Sequence, residues 1–411
     1  MSQPLLRTTS PPDLRRWLPL IIGLAVGIRG ALGWIHPFYF PDSADYDTLA
    51  RALLTHQPYS SAGFIASRIP GYPFFLALIY FFFGTGTHAV MIIQALLSGG
   101  VVLFTFLIAK RISTTVGLIA AMIITFDPLS IGFSAALLSE SPFTLTFMAA
   151  LWLALRISET PTDPLFHRAF RWLALGILWS IAVYLRAEAL YCILLLAPAI
   201  ISNFRKPYLL QNISLCFLPA ALVFLLLMPW LLRNHSHFPN SSMFTLTSLE
   251  GISLYESVYP GADGGPMQDK ITLPPEMQSL DEMQRSGEWS RRAWSFIRAD
   301  PLRIAKLAFI KIGRTWSPWF NASDFRSGPI QWAMIVWYIP LYLFALLGLW
   351  RMPRSLAILL LIPITYFTLL HALFLGSVRY RVPLMPILSV FAAVGIVNTL
   401  NSALRYKRRA I

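Results

Sequence analysis

The chain has 411 residues, 56% of them hydrophobic and only 13% charged, with a mean hydropathy of +0.60. Soluble domains average roughly 45–50% apolar and 25% charged residues, so this composition excludes an ordinary water-soluble globule and places the chain in lipid. The formal charge of +14 would suit a nucleic-acid partner, but its placement along the chain accounts for it as a topology signal.

A bilayer core of about 30 Å needs roughly 20 apolar residues per helix. The polar, basic start MSQPLLRTTSPPDLRR precedes an apolar run without a small-residue cleavage site, the pattern of an uncleaved signal anchor. Predicted spans follow at 17–34, 88–109, 113–131, 135–156, 170–185, 187–204, 212–232, 331–350, 355–374 and 382–400. The fold class is therefore an all-α polytopic membrane protein with about ten transmembrane helices and two long outer-face loops that carry interfacial helices.

With both termini cytoplasmic, every short inner loop is basic: Arg7, Arg15 and Arg16, then Lys110 and Arg111, Arg156, Arg168 and Arg171, Arg205 and Lys206, Arg351 and Arg354, and finally Arg405, Lys407, Arg408 and Arg409. Against these stand three acids, Asp13, Glu159 and Asp163, so nearly all of the excess positive charge is internal. Lys/Arg bias in short loops sets orientation, so no nucleic-acid partner is implied. The location this indicates is a plasma membrane, the inner membrane in a bacterium. The chain divides into a transmembrane module over 1–232 with a first outer loop at 35–87, a large outer loop over 233–330 with amphipathic helices, and C-terminal helices with a basic tail over 331–411.

In the first outer loop, Tyr46, Leu49, Ala50 and Leu53 repeat with the spacing of an amphipathic helix. Asp42 stands at its start and suits two roles, a helix N-cap or a catalytic carboxylate, and Asp45 and Asp47 suit the positive end of the helix dipole. Arg68-Ile69-Pro70-Gly71-Tyr72-Pro73 fixes a bend, and its arginine is also able to hold a phosphate bidentately. The apolar stretch at 70–83 is too short to span and reads as an interfacial or re-entrant piece.

Glu140 lies near the outer end of the fourth predicted span, where an ionisable group either snorkels to the headgroups or serves a site. Arg186 and Glu188 meet at the turn between the fifth and sixth spans. Pro229-Trp230-Leu231-Leu232-Arg233-Asn234 closes the seventh span outside, and Arg379-Tyr380-Arg381 opens the tenth on the same face, a pair of arginines suited to clamp a lipid phosphate. Over 301–316, Arg303, Lys306, Lys311 and Arg314 fall within an arc of roughly 140° at helical spacing, as in an interfacial helix presenting cations to lipid. Cys192 and Cys216 both lie in apolar runs, and no metal-ligand spacing occurs.

At these residues the sequence resembles the GT-C glycosyltransferase superfamily, in the branch of family 39 that holds the protein O-mannosyltransferases and the bacterial aminoarabinose transferases. Asp42-Ser43-Ala44-Asp45-Tyr46 matches the Asp-led motif of their first outer loop, and Arg68-x-Pro-x-Tyr72-Pro73 its second part. Gln94-Ala95-Leu96-Leu97, Ser139-Glu140, Pro229-Trp230-x-x-Arg233-Asn234 and Arg379-Tyr380-Arg381-x-Pro383 follow in family order. Ser43 stands where the family often has a second acid, and the predicted spans are fewer than the family's.

The resemblance implies a polyprenyl-phosphate-linked sugar donor, a hydroxyl acceptor on protein, lipid or glycan, and an outward-facing site in the membrane. It makes Asp42 the general base, Asp45 and Glu140 possible second acids, and Arg379, Arg381, Arg233 and Arg186 the donor-phosphate ligands. Tyr46, Arg68 and Tyr72 would form the substrate loop. No cofactor is required, and a divalent metal is left open. Two other classes fit the composition: a polytopic transporter or lipid flippase of the cell envelope, and a non-catalytic partner of an envelope assembly. A transporter should carry related halves and Gly/Pro-broken spans, neither of which is evident here.

Overall fold

The computed structural model describes residues 14–202, 206–267, 270–321 and 328–409. The basic segment 1–13, Arg205, and the side chains of Arg15, Lys206, Lys407, Arg408 and Arg409 lie outside the described residues. Among the described residues the regular structure is helical, apart from two isolated bridges.

In chain order the helices are α1 (Leu18–Ile35), α2 (Pro41–Leu54), α3 (Gly71–Phe83), α4 (Thr87–Ala109), α5 (Thr114–Thr125), α6 (Pro128–Ser134), α7 (Glu140–Glu159) and α8 (Leu165–Leu185). They continue as α9 (Cys192–Ile201), α10 (Lys206–His237), α11 (Leu249–Val258), α12 (Glu282–Ala299), α13 (Pro301–Thr315), α14 (Pro329–Arg351), α15 (Arg354–Leu373) and α16 (Met385–Arg409). Among the described residues eight helices are long and apolar enough to cross a membrane, or nine if the bent pair α5–α6 counts as one span, against the ten expected.

Two physical causes account for the difference. In the predicted span 113–131, Asp127 caps α6 by accepting from Ser130 N (2.8 Å), Pro128 opens that helix, and the axis turns by 55°. The carbonyls of Ile124 and Thr125, released where α5 stops, are taken by the buried Arg29 of α1 at 2.8 and 2.9 Å. An unpaired carbonyl inside a bilayer is costly, and a guanidinium with several donors is suited to close two at once. The other cause lies after α8, where a 3-10 turn at Ala187–Ala189 leaves α9 only ten residues, too few to span.

The predicted span 135–156 also starts later, at Glu140. Residues ahead of it form turns around one isolated bridge from Ala136 to Phe38: Phe38 N donates to Ala135 O (2.8 Å), and Gln94 Nε2 donates to Ser134 O and Ala136 O at 3.1 and 2.8 Å. The membrane helices pack closely through small residues. A Cβ on Gly348 of α14 would meet Phe391 O of α16 at 1.8 Å, and one on Gly395 would meet Phe344 O at 2.0 Å. Without a hydrophobic drive between helices in lipid, such backbone approach supplies the van der Waals contact that holds them.

The large outer loop folds into α11, α12 and α13, with Leu254, Val258 and Ala293 as a small core of their own. In α13 the expected display of cations is reversed. Arg303 donates to Val258 O and Tyr259 O, Lys311 Nζ to Leu373 O (2.9 Å), and Arg314 Nε to Gly376 O (3.3 Å). Only Lys306 of the four is exposed, and it lies on a face with Leu302, Phe309 and Ile310. The loops beside α13 carry carbonyls without helical partners, and the cations satisfy them. Lys311 is buried, and burial followed by the neighbouring Arg303 charge pushes its ammonium down to about 8.

Candidate active site

The N-terminus of α2 decides what Asp42 does. Phe40 occupies the cap position, Pro41 the first helical position, and the Ser43 hydroxyl accepts from the Phe40 backbone N–H at 3.0 Å. Asp42 is therefore not the cap; it sits in the first turn with its side chain free to face elsewhere. That side chain accepts from two guanidiniums, Arg68 at 2.7 Å and Arg379 at 2.6 Å.

These contacts belong to a chain of alternating charge that crosses the site. Arg68 also binds Asp45 (2.9 Å), whose other oxygen accepts from Ser61 Oγ at 2.8 Å. Arg379 binds Glu140 through Nε, Glu140 accepts from Arg186 at 3.0 Å, and Arg186 binds Glu188 at 3.1 Å. Beyond Glu188 stands His371 of α15, its Nε2 3.6 Å from the carboxylate, just outside hydrogen-bond contact. The order is thus Asp45, Arg68, Asp42, Arg379, Glu140, Arg186, Glu188, His371.

Each link comes from a different element end. Arg68 stands in the bend before α3, Arg186 just past α8, Glu140 at the start of α7, and Arg379 in the 3-10 turn Val378–Leu384 that leads into α16. Gly71 lets the start of α3 lie against the end of α8: a Cβ there would lie 2.2 Å from Tyr184 O. Aromatic rings cover the cations, with Arg68 over Tyr46 at 5.4 Å and Arg186 over Phe143 and Tyr380 at 5.7 and 5.9 Å.

Glu140 is only 1% exposed, so it does not snorkel. A buried carboxylate survives only where it is paired, and here two arginines share it. Burial works to raise the Asp42 carboxyl, but the Arg379 and Arg68 charges outweigh it and hold Asp42 below its ordinary value. Glu188 follows the same pattern more strongly: burial opposes, Arg186 and then His371 prevail, and the carboxylate stays ionised.

Asp42, Tyr46, Arg68, Arg186, Glu188 and Arg379 line one cleft of about 520 Å³. Its other wall is largely apolar, with Phe244, Leu246 and Leu249 from the outer loop and Leu370, Phe374 and Leu375 from the end of α15. A pocket of this size with few convergent polar groups is the usual form of a small-molecule site. In the chain every guanidinium lies between two acids, so an incoming phosphate must displace a carboxylate to reach one. Among the described residues no three His, Cys, Asp or Glu side chains gather as a cation site.

Several expected members stand elsewhere. Arg381 does not pair with Arg379 as a clamp. It is fully buried, stacked 4.4 Å over Tyr338, and donates to Thr315 O at 2.9 Å and to Ser317 O. Successive positions of a tight 3-10 turn point in different directions, which separates the two. Arg233 lies off the cleft, donating to Ile65 O at 2.6 Å and packed 4.8 Å from Trp230. Tyr72 sits behind the site, its hydroxyl donating to Gln94 Oε1 at 3.0 Å and its ring edge-on to Tyr46. Conversely, the cleft includes Glu250, His371 and Tyr380, which the sequence did not single out as site residues. An ionisable His371 inside an apolar span was the available signal; for Glu250 there was none. Burial raises the Glu250 carboxyl, against hydrogen bonds from the backbone of Thr247 and Leu246.

The arrangement of helices is similar to that of the solved membrane proteins named below, in line with the resemblance read from the sequence. Residues 67–232 match the family model described as dolichyl-phosphate-mannose-protein mannosyltransferase. ArnT from Cupriavidus metallidurans bound to undecaprenyl phosphate superposes with a TM-score of 0.57 at 13% identity, covering 93% of this chain and 60% of that one. The oligosaccharyltransferase of Archaeoglobus fulgidus in the apo form gives 0.61 at 14% identity, covering 98% and 52%. AglB from the same organism, in complex with an inhibitory peptide and a dolichol-phosphate, gives 0.58 at 14%, covering 97% and 52%. The chain thus spans 52% to 60% of the length of these structures. No curated protein matches the sequence.

Proposed function

We propose that this chain is a membrane glycosyltransferase that moves a sugar from a polyprenyl-monophosphate donor to an acceptor hydroxyl on the outer face of the plasma membrane. The observation that carries it is Asp42, a carboxylate held between two arginines in a cleft walled by apolar side chains. The acceptor oxygen attacks the anomeric carbon with inversion, its proton passes to Asp42, and the carbon–phosphate oxygen bond breaks with its electron pair left on the lipid phosphate. Arg379 and Arg68 lie where that charge develops, and stabilising developing charge is the largest single contribution in most enzymes.

The ion-pair chain gives this reaction an order. Before donor binds, the guanidiniums make Asp42 a weak base. A donor phosphate that takes over Arg379 or Arg68 frees a carboxylate oxygen and raises its basicity, so the base is armed by the substrate it will serve. No metal is required by this scheme. Arg186, three links from Asp42, holds Glu140 in place, and Arg381 and Arg233 serve the fold.

The test is transfer by the purified protein, in lipid nanodiscs, from a set of polyprenyl-monophosphate sugars to cell-envelope acceptor material. Sugar on the acceptor with matching release of polyprenyl phosphate is expected. Movement of the lipid between leaflets without transfer from any donor would refute the proposal in favour of a flippase.

A further inference from the structure

Glu188 has no part in the transfer step, yet its carboxylate is the most open acid in the inner half of the charge chain, with 33% of its side chain exposed where Glu140 has 1%. It is held from three sides. Arg186 binds it at 3.1 and 3.2 Å, His371 stands 3.6 Å away, and the Tyr366 hydroxyl fixes its backbone by donating to Glu188 O at 2.6 Å. The remaining side faces the cleft.

Around it lies an aromatic surface. The rings of His371 and Tyr380 stack at 4.0 Å and 8°, and Tyr191 and Tyr366 also line the cleft. The His371 Nε2 is buried without a hydrogen-bond partner, as is Glu140 Oε2, but of the two only His371 lines the cleft, where it has capacity to spare. An ionised carboxylate only accepts, and it has two oxygens with which to do so. Fixed in place, it takes a pair of neighbouring hydroxyls, while flat rings take the C–H faces of a sugar. The guanidinium beside it, Arg186, is shared by Glu140 and Glu188, and the Glu188 carboxylate itself repels an acidic sugar.

We propose that Glu188, oriented by Arg186 and His371 and flanked by Tyr380, is the specificity-determining residue of a subsite for vicinal hydroxyls of a donor sugar without an acid group. This rests on the glycosyl-transfer reading of the same cleft. Glu188 touches the sugar, whereas His371 acts through Glu188 as a positioning residue. A site built to pair substrate hydroxyls rejects analogues lacking one, because its own polar group is left unpaired.

The experiment compares wild type, Glu188→Gln and Glu188→Asp with polyprenyl-monophosphate hexoses and the same donors lacking one ring hydroxyl. Glu188→Asp keeps the ion pair but withdraws the carboxylate by one methylene, which guards against loss of fold in the amide variant. Wild type should prefer one intact donor over its deoxy form by at least about tenfold in kcat/KM. Both variants should reduce that preference severalfold, while sugar-free polyprenyl phosphate binds all three proteins alike. An unchanged preference in the variants, no preference in wild type, or weakened binding of the sugar-free lipid would overturn the subsite. Failure of wild type to transfer from any donor would instead overturn the activity itself.

Discussion

Replacing Asp42 by Asn separates stability from chemistry at the centre of the cleft. The carboxylate gives one oxygen to Arg68 and the other to Arg379. Asn keeps one acceptor and turns an amide N–H toward the second guanidinium, so one charge-assisted hydrogen bond is lost and the other weakened; such bonds contribute about 1.5–3 kcal/mol each. Neither arginine is orphaned, because Arg68 keeps Asp45 and Arg379 keeps Glu140, and Asp42 is 26% exposed, so solvent screens part of the loss. A net cost of about 1–3 kcal/mol follows, and no helix cap is lost, since Ser43 supplies the capping contact.

Loss of a general base lowers the rate about 10²–10⁴-fold, an effect of roughly 3–5 kcal/mol on the barrier in a protein that remains folded. Thermal unfolding in detergent and sugar transfer at saturating donor and acceptor read the two quantities independently. Glu250→Gln is the control, since it neutralises another carboxyl in the cleft, and it should retain most activity. Transfer by Asp42→Asn at the wild-type rate, or a larger loss in Glu250→Gln, would refute the assignment. The depressed Asp42 value adds a sign. Its stabilising contribution is complete above the ordinary value of 3.8 and disappears as pH falls through the folded value, so acid should erode the stability difference between wild type and Asp42→Asn.

Gly71→Ala places a methyl group 2.2 Å from Tyr184 O, and the resulting overpacking should cost about 1–3 kcal/mol while shifting the bend that carries Arg68 and so its pairing with Asp42. Lower melting temperature together with weaker donor binding is expected, and an unchanged melting temperature would show that the two segments do not meet. Lys311→Met tests the buried ammonium. With its folded value near 8 and its ordinary value at 10.5, the unfolded chain binds more protons in that window, so this lysine makes stability rise as pH rises from 8 to 10.5. The melting temperature of wild type minus that of the variant should therefore climb over the same range, and a flat difference would contradict the burial of Lys311.

The sequence was most informative where one property repeats over many residues. Apolar runs of span length, basic short loops and the 3.6-residue rhythm after Asp42 each sum a weak preference over a dozen or more positions, and the corresponding helices are present. Where a single residue decides, the linear pattern failed. The break at Asp127-Pro128 depends on Arg29 from another helix to take the freed carbonyls, and the reversed face of α13 depends on carbonyls at helix ends and loops 44 to 62 residues away in the chain.

The candidate site divides in the same way. Sequence placed Asp42, Asp45, Arg68, Glu140, Arg186 and Arg379 at element ends on one side of the bundle, because ionisable groups at span ends are costly and therefore informative. It could not say which acid faces which base, nor that Arg379 and Arg381, two positions apart, point to opposite duties. Those choices belong to the tertiary structure. Pairing of buried charge depends on distances of a few ångströms between segments far apart in the chain, from 23 residues for Arg68 and Asp45 to 337 for Arg379 and Asp42, and only the packed helices fix them.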